Sequence, residues 1–383
     1  MKHSDEIKQQ RIKLAVIGLG VMGSFHLENI VKTKNVKLTA VCDARPSVAE
    51  EKAKQYGVKA FYSHQELLQW GKAQNSLEAI LIATPHYDHK WVAIDAFTMG
   101  FHVLTEKPVG AHVNDVIKMI EAWKGAKEKN PKLVFATMFQ QRTLGQWRKI
   151  KEILETGELG KLIRATWIVT DCFRPQYYYD HGDWRGTWRG EGGGVLLNQC
   201  PHQLDLFQWF FGLPDRIRGF VSIGKYHRIE VEDEVTAYYE YNNGLIGHFI
   251  TSTGEAPGTN RLEIVGELGK LTFENDKLTL WKNKISALEY IKTAKERFPQ
   301  IESKKITLQY DKSEVSPHKR VIENFAEAIL KGIDPIAPAI EGLNSISMSN
   351  AIILSHFQGK TVRLPLDGDA YESLLNQLIE KSN

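Results

Sequence analysis

Two short stretches decide how the rest of this chain reads: Lys13-Leu14-Ala15-Val16-Ile17-Gly18-Leu19-Gly20-Val21-Met22-Gly23 and Val36-Lys37-Leu38-Thr39-Ala40-Val41-Cys42-Asp43. Leu14 to Ile17 is a short apolar run of the kind a strand buried on both faces needs. The G-x-G-x-x-G that follows opens a helix. Gly18 permits the tight turn, Gly20 lets backbone approach a pyrophosphate, and Gly23 lets helix and strand pack closely. Val21 and Met22 stand at the helix N-terminus, whose unpaired N–H groups and partial positive charge suit phosphates. Val36, Leu38, Ala40 and Val41 make a second strand, and Asp43 ends it 20 residues after Gly23. A carboxylate there can accept hydrogen bonds from an adenosine ribose. Asp43 favours NAD because it repels a 2′-phosphate, while Arg45 could receive that phosphate and so leaves NADP open.

Further along, residues 47–56 read as an exposed helix stopped by Gly57, and Ser63 as the N-cap of a helix over 65–70. Ala79-Ile80-Leu81-Ile82-Ala83 is the next buried strand, closed by Thr84-Pro85. A helix over 91–99 capped by Gly100 precedes a strand over 101–104. Strands alternating with helices at this pace imply a parallel, doubly wound sheet, the α/β Rossmann class, with ligands beyond the carboxyl ends of its strands. The turns on that edge supply Thr84, Pro85, His89, Glu106 and Lys107 as further cofactor-binding candidates.

Past Phe135 the pattern changes, so we expect a dinucleotide-binding domain over 1–135 and a substrate and oligomerisation domain over 136–383. A strand over 161–170 is followed by an aromatic, glycine-rich loop over 173–194 and a helix over 196–211. Val235, Ala237, Tyr239 and Tyr241 alternate with more polar neighbours, and Asn243-Gly244 marks a hairpin. This is an α+β domain with a mostly antiparallel sheet, one face of it uncovered by helices. Its alternating aromatics serve either as core or as a dimerisation surface. Two helices close the chain, one from Ser316-Pro317 to Gly332 and one carrying Ile340, Leu343, Ile346, Ile353 and Phe357.

At 383 residues the chain suits two domains with substantial cores. Its 49 basic against 46 acidic residues give no reason to expect nucleic acid or an anionic membrane as partner. Three scattered cysteines, Cys42, Cys172 and Cys200, make neither a disulfide framework nor a zinc spacing. The polar start over 1–11 has no apolar core of a signal peptide, and no apolar run approaches membrane-spanning length. The chain therefore reads as soluble and cytoplasmic.

Glu106-Lys107-Pro108 follows a buried strand at the ligand-facing edge, where Pro108 keeps Lys107 extended. A lysine held there can point its ammonium at a substrate oxygen. A second cluster is Gly192-Gly193-Gly194 followed by Asn198, His202 and Asp205. On a helix the last three share one face, although Pro201 would kink it. Arg174, Tyr177, Tyr178, Tyr179, Asp183, Trp184 and Arg185 offer the rings and hydrogen-bonding groups that pyranoses favour, with Arg142 a similar candidate. His181 and Asp183 are the nearest further ligands for a metal, and none is expected.

The glycine fingerprint, Thr84-Pro85, Glu106-Lys107-Pro108 and the Gly-Gly-Gly segment with His202-x-x-Asp205 together resemble the Gfo/Idh/MocA oxidoreductases over nearly the whole chain. The resemblance implies a C-terminal domain built on a large open-faced sheet, assembly into homodimers or homotetramers, and oxidation or reduction of sugars, cyclitols or related polyols. It also implies that Lys107 and His202 flank the reacting carbon. Many members carry aspartate four residues before that histidine; Asn198 stands there instead. Oxidation then needs a base for the hydroxyl proton, which His202 can be with an ordinary pKa of about 6.5. Lys107 would stabilise the alkoxide. Two rival readings are an NAD-dependent glycosidase working through transient oxidation and a catalytically silent, nucleotide-sensing regulator. The pair Lys107 and His202 argues against the second.

Overall fold

The computed structural model describes residues 10–182 and 184–382. The polar start over 1–9 and the candidate Asp183 lie outside the described residues. In chain order the first stretch runs β1 (Ile12–Ile17), α1 (Val21–Val31), β2 (Val36–Cys42), α2 (Pro46–Tyr56), β3 (Lys59–Phe61), α3 (His64–Ala73), β4 (Ala79–Ile82), α4 (Asp88–Met99), β5 (His102–Thr105), α5 (Val113–Lys127) and β6 (Phe135–Thr137). The middle runs α6 (Gly145–Glu155), β7 (Leu162–Val169), α7 (Gln176–Asp180), α8 (Pro201–Phe211), β8 (Arg216–Ile223), β9 (Glu232–Glu240), β10 (Ile246–Ser252), β11 (Asn260–Gly266), β12 (Gly269–Glu274), β13 (Lys277–Asn283), α9 (Ala287–Thr293) and β14 (Ser303–Leu308). Then come α10 (Pro317–Lys331), α11 (Ala339–Gln358), β15 (Val362–Arg363) and α12 (Gly368–Lys381).

Of the described residues, the first compact unit holds 10–110, 115–143 and 314–343. Its six strands are all parallel, in the order β3-β2-β1-β4-β5-β6. Leu14, Ala15, Val16, Ile80, Leu81 and Leu104 are wholly buried, as strands covered on both faces require. The strand order reverses between β1 and β4, the point at which such sheets open a crevice for ligands. Ser63 sits at the N-cap of α3 as expected, but its hydroxyl goes to Gln65 rather than to the helix backbone.

The expected division at 135 needs correction, because the first unit extends to 143 and takes back α10. Val321, Ile322, Phe325, Ala326 and Ala328 of α10 join the core of β1, β2 and α1. An apolar stripe that completes the first core binds this helix there whatever its place in the sequence. Ser316 caps it by accepting from the Lys319 N–H, and Gly332 ends it at φ 68°. Arg142 also departs from its expected role. Only 1% exposed, it lies in the first unit with Nη1 2.5 Å from Glu341 and 3.3 Å from the Ile336 carbonyl. A guanidinium so engaged is a strut, not a substrate contact.

The second unit holds 111–114, 144–313 and 344–383. Its nine strands run β14-β13-β12-β11-β7-β10-β9-β8-β15, with β7 and β10 parallel and the other pairs antiparallel. Trp147 of α6 packs on Trp167 and Phe273 at centroid distances of 5.1 and 4.9 Å, and Phe207 of α8 on Tyr239 at 5.0 Å. Val235, Ala237, Tyr239 and Tyr241 are therefore core. The alternate residues Arg164, Phe220, Thr236 and Ile246 stay exposed on the other face.

The helix expected over 196–211 is shorter than the apolar pattern suggested. Residues 192–200 form turns, and α8 starts at Pro201. Proline lacks an N–H and presets φ, so it belongs in the first helical position, where that N–H would be unpaired anyway. Asn198 thus lies outside the helix and shares no helical face with His202 and Asp205.

Candidate active site

In the first unit the site begins with the glycine turn. Gly18 holds φ 89°, and a Cβ on it would lie 2.5 Å from the Ala83 carbonyl oxygen. A Cβ on Gly23 would lie 1.9 Å from the Gly18 carbonyl oxygen. Both are sterically obligatory. Gly20 differs: its missing Cβ faces open space, with nothing within 4 Å. No side chain caps α1, and Val21 in its first turn is 86% exposed. The buried Thr84 Oγ1 beside this turn has no hydrogen-bond partner among the described residues. An open helix N-terminus, a clear backbone approach and an unsatisfied hydroxyl fit a dinucleotide diphosphate.

Asp43 is 8% exposed and accepts from the Leu19 N–H at 2.9 Å, the Arg45 N–H at 3.0 Å and Arg45 Nε at 2.9 Å. Burial alone would raise its pKa, but the Arg45 and Leu19 hydrogen bonds and the guanidinium charge hold it below the ordinary aspartate value. Arg45 itself is 63% exposed and lies across the carboxylate, at the place where a ribose phosphate would matter.

His89 was expected to touch the cofactor, but it is wholly buried. Its Nδ1 and Nε2 each lie 3.0 Å from a carbonyl, of Pro108 and Thr84 respectively. It ties together the two turns that carry Thr84-Pro85 and Glu106-Lys107. Glu106 is also internal, 5% exposed, with Oε1 2.5 Å from His26 Nε2 and Oε2 accepting the Lys107 N–H at 3.0 Å. Burial opposes its ionisation, yet the His26 hydrogen bond and charge, with Lys107, hold its pKa at about 2. Glu106 is therefore an ionised strut under half-buried Lys107. His26 was not foreseen, since an imidazole on the fingerprint helix gives no sequence sign that it meets a carboxylate 80 residues away.

In the second unit, Asn198 Nδ2 donates to Glu191 Oε1 and to the Tyr178 hydroxyl, the latter at 3.2 Å. Arg185 Nη1 donates to the same hydroxyl, and its guanidinium lies 4.4 Å from the Tyr178 ring centroid and 4.5 Å from that of Trp184. Four candidates, Tyr178, Trp184, Arg185 and Asn198, thus meet around Glu191, which sequence reasoning did not single out. Tyr177 instead stacks on His181 at 3.6 Å, and Tyr179 is core. His202 is the second residue of α8 and 9% exposed. Asp205 is 1% exposed and accepts from Gln208 Nε2 at 3.0 Å.

Beneath the triple glycine lies a second unforeseen carboxylate, Glu232. Its Oε1 accepts the Gly194 and Leu196 N–H groups at 2.9 and 3.1 Å, while buried Oε2 has no partner among the described residues. Burial pushes its pKa up to about 7, with the Glu191 charge adding and the backbone bonds opposing. The folded chain therefore holds a proton that the unfolded chain releases near 4.5. The resulting stabilisation is complete below about 4.5 and is lost as pH rises to about 7, at most about 1.4 kcal/mol per pH unit. Thermal melting should show a decline over that window that Glu232→Gln flattens. An unchanged slope in the variant would remove Glu232 as its cause.

Comparison with known proteins identifies the family of both parts of the chain. Residues 12–132 match the family described as oxidoreductase family, NAD-binding Rossmann fold, and residues 147–272 match the GFO/IDH/MocA C-terminal domain. A myo-inositol 2-dehydrogenase of Thermotoga maritima is 25% identical over 277 residues, covering 69% of this chain and 75% of its own. The scyllo-inositol 2-dehydrogenase (NAD(+)) of Bacillus subtilis is 23% identical over 371 residues, 93% of this chain and 97% of its own. Among solved structures, the WlbA dehydrogenase from Bordetella pertussis in complex with NADH and UDP-GlcNAcA has a TM-score of 0.76 at 25% identity, covering 94% of this chain and all of that one.

Proposed function

The chain belongs to the Gfo/Idh/MocA oxidoreductase family, with an NAD-binding Rossmann fold in its first part, and from that premise we propose that it moves hydride between nicotinamide and a secondary alcohol carbon of a sugar, cyclitol or related polyol. The observation that supports this most is the Lys107 backbone held at the end of β5 by a buried, ionised Glu106. Bound NAD supplies the hydride acceptor, held by the 18–23 turn, Asp43, Arg45 and the Thr84-Pro85 turn. His202, as neutral imidazole, takes the hydroxyl proton on oxidation. Lys107 holds the oxygen and stabilises the negative charge that develops on it. The inositol dehydrogenases among its relatives act on the same kind of carbon, which supports the polyol class over cleavage of a glycosidic bond.

The test is a panel of inositols and free sugars assayed for reduced nicotinamide, beside aryl glycosides assayed for aglycone release. Reduced nicotinamide with free polyols supports the dehydrogenase. Aglycone release without net reduction would replace it by the glycosidase. In the same reading the exposed sheet face around Arg164, Phe220 and Ile246 pairs copies of the chain into a homodimer or homotetramer, and the protein works in the cytoplasm. No described helix is long and apolar enough to cross a membrane.

Cofactor choice follows from Asp43. Its carboxylate repels a 2′-phosphate, and the exposed Arg45 guanidinium offsets part of that repulsion, so NAD is preferred with some NADP use. Asp43→Ser should move the ratio of kcat/KM values toward NADP, and Arg45→Ala should move it away. Equal or better use of NADP by the unmutated chain would overturn this assignment.

A further inference from the structure

Around Tyr178, the hydrogen-bond directions follow from the chemistry of the groups. A carboxylate only accepts, so the amide nitrogen of Asn198, not its oxygen, faces Glu191. Glu191 is 1% exposed and fixed from behind by the Gly186 N–H at 2.8 Å. The second amide hydrogen of Asn198 goes to the Tyr178 oxygen at 3.2 Å. Arg185 Nη1, which can only donate, goes to that oxygen too. Both lone pairs of the phenol are then occupied, and its own O–H must point to another acceptor. Among the described residues none receives it. Arg185 likewise has no carboxylate partner among the described residues, and two rings hold its plane at 4.4 and 4.5 Å. Arg174, 5.2 Å from the Tyr178 ring, spends Nη1 on the Cys172 and Phe173 carbonyls.

With its lone pairs taken, the Tyr178 hydroxyl offers a ligand only its O–H, and Arg185 offers only N–H groups and a positive charge. A sugar hydroxyl both gives and takes a hydrogen bond and gains less from the charge than an anion does. A carboxylate takes from both donors and gives the Arg185 guanidinium a direct ion-pair partner. We propose that Tyr178 and Arg185, oriented by Glu191 through Asn198, form a carboxylate-recognition site, and that the substrate is an acidic sugar of the uronic or aldonic class. The proposal deepens the dehydrogenase reading and rests on it only for turnover.

Two measurements on the full chain with NAD present test it: calorimetric titration with D-glucuronate and D-galacturonate, each against its neutral amide, and kcat/KM for the same four compounds. The acids should bind about ten-fold or more tightly than the amides, the scale of one charge-assisted pair. Arg185→Met should bring acid and amide within about two-fold, acting on KM more than on kcat. Glu191→Gln frees the Asn198 amide to turn over and should erode the same preference, which Glu191→Asp partly restores. Arg185 is part-exposed, so its variant keeps the question open to test even if Glu191→Gln fails to fold. Amides that bind as tightly as the acids, or an Arg185→Met protein that keeps the full preference, would overturn the site. Preferential binding of acids with no reduction of NAD by any sugar would leave the site standing and remove the dehydrogenase. Oxidation of neutral polyols without any acid preference would do the reverse.

Discussion

Lys107→Ala should lower kcat by about 10²-fold or more, the cost of removing a preorganised charge from the oxygen where negative charge develops. NAD affinity should change much less. The reason lies in how the lysine is held. Its backbone N–H meets Glu106 at 3.0 Å, and Glu106 is fixed on its other side by His26 at 2.5 Å. Truncation at Cβ leaves that strut, the β5 edge and the glycine turn in place. The variant therefore separates the ammonium's chemistry from the architecture beneath it. Steady-state kinetics give the first quantity, and fluorescence titration with NADH gives the second. A near-normal kcat would return Lys107 to the standing of a surface lysine. A large loss of NADH affinity would mean that the side chain supports the cofactor site, and the rate effect would no longer report on the alkoxide.

The readings that survived are those in which local covalent geometry does the deciding. A positive φ at Gly18 and a Cβ clash at Gly23 are properties of a few consecutive residues, so the turn, the helix after it and Asp43 at the end of β2 were legible. Lys107 and His202 stand on contiguous motifs, which is why the family resemblance could single them out as candidates. What escaped depends on partners far apart in sequence or on one residue's place in a helix. Apolar periodicity ran α8 back to Leu196, yet Pro201 starts it, and the supposed face of Asn198, His202 and Asp205 dissolved with that turn. Arg142 carried the chemistry of a sugar contact, but its ion pair with Glu341 spans 199 residues. α10 returns to the first core because of its apolar stripe, which sequence order hides. His26, Glu191 and Glu232 are ordinary residues until the fold buries them beside Glu106, Asn198 and the triple glycine.

The largest expected loss is at His202, where His202→Ala should remove about 10²–10⁴-fold of the rate, the usual contribution of a general base. It should also abolish the acidic limb of kcat/KM. The sign is fixed by the role: a base must be neutral to accept the proton, so oxidation rises with pH through the imidazole's own titration. The neighbouring charge then sets where the limb falls, because a carboxylate near the ring favours imidazolium and moves the limb upward. Asn198, four residues before the histidine, is neutral, and its amide is spent on the Glu191 carboxylate. Asn198→Asp would set a half-buried carboxylate against the buried Glu191, and such a pair shares a proton rather than carrying two charges. The single variant should therefore shift the limb upward only modestly. The double variant Glu191→Gln with Asn198→Asp moves the one charge from position 191 to position 198 and should give the larger upward shift. Profiles of kcat/KM against pH for the four proteins, with solvent isotope effects to show that proton transfer limits the rate, decide the matter. A limb that stays put in the double variant means that positions 198 and 202 do not communicate. A limb that persists in His202→Ala means that another group is the base, and Lys107 becomes the residue to test next.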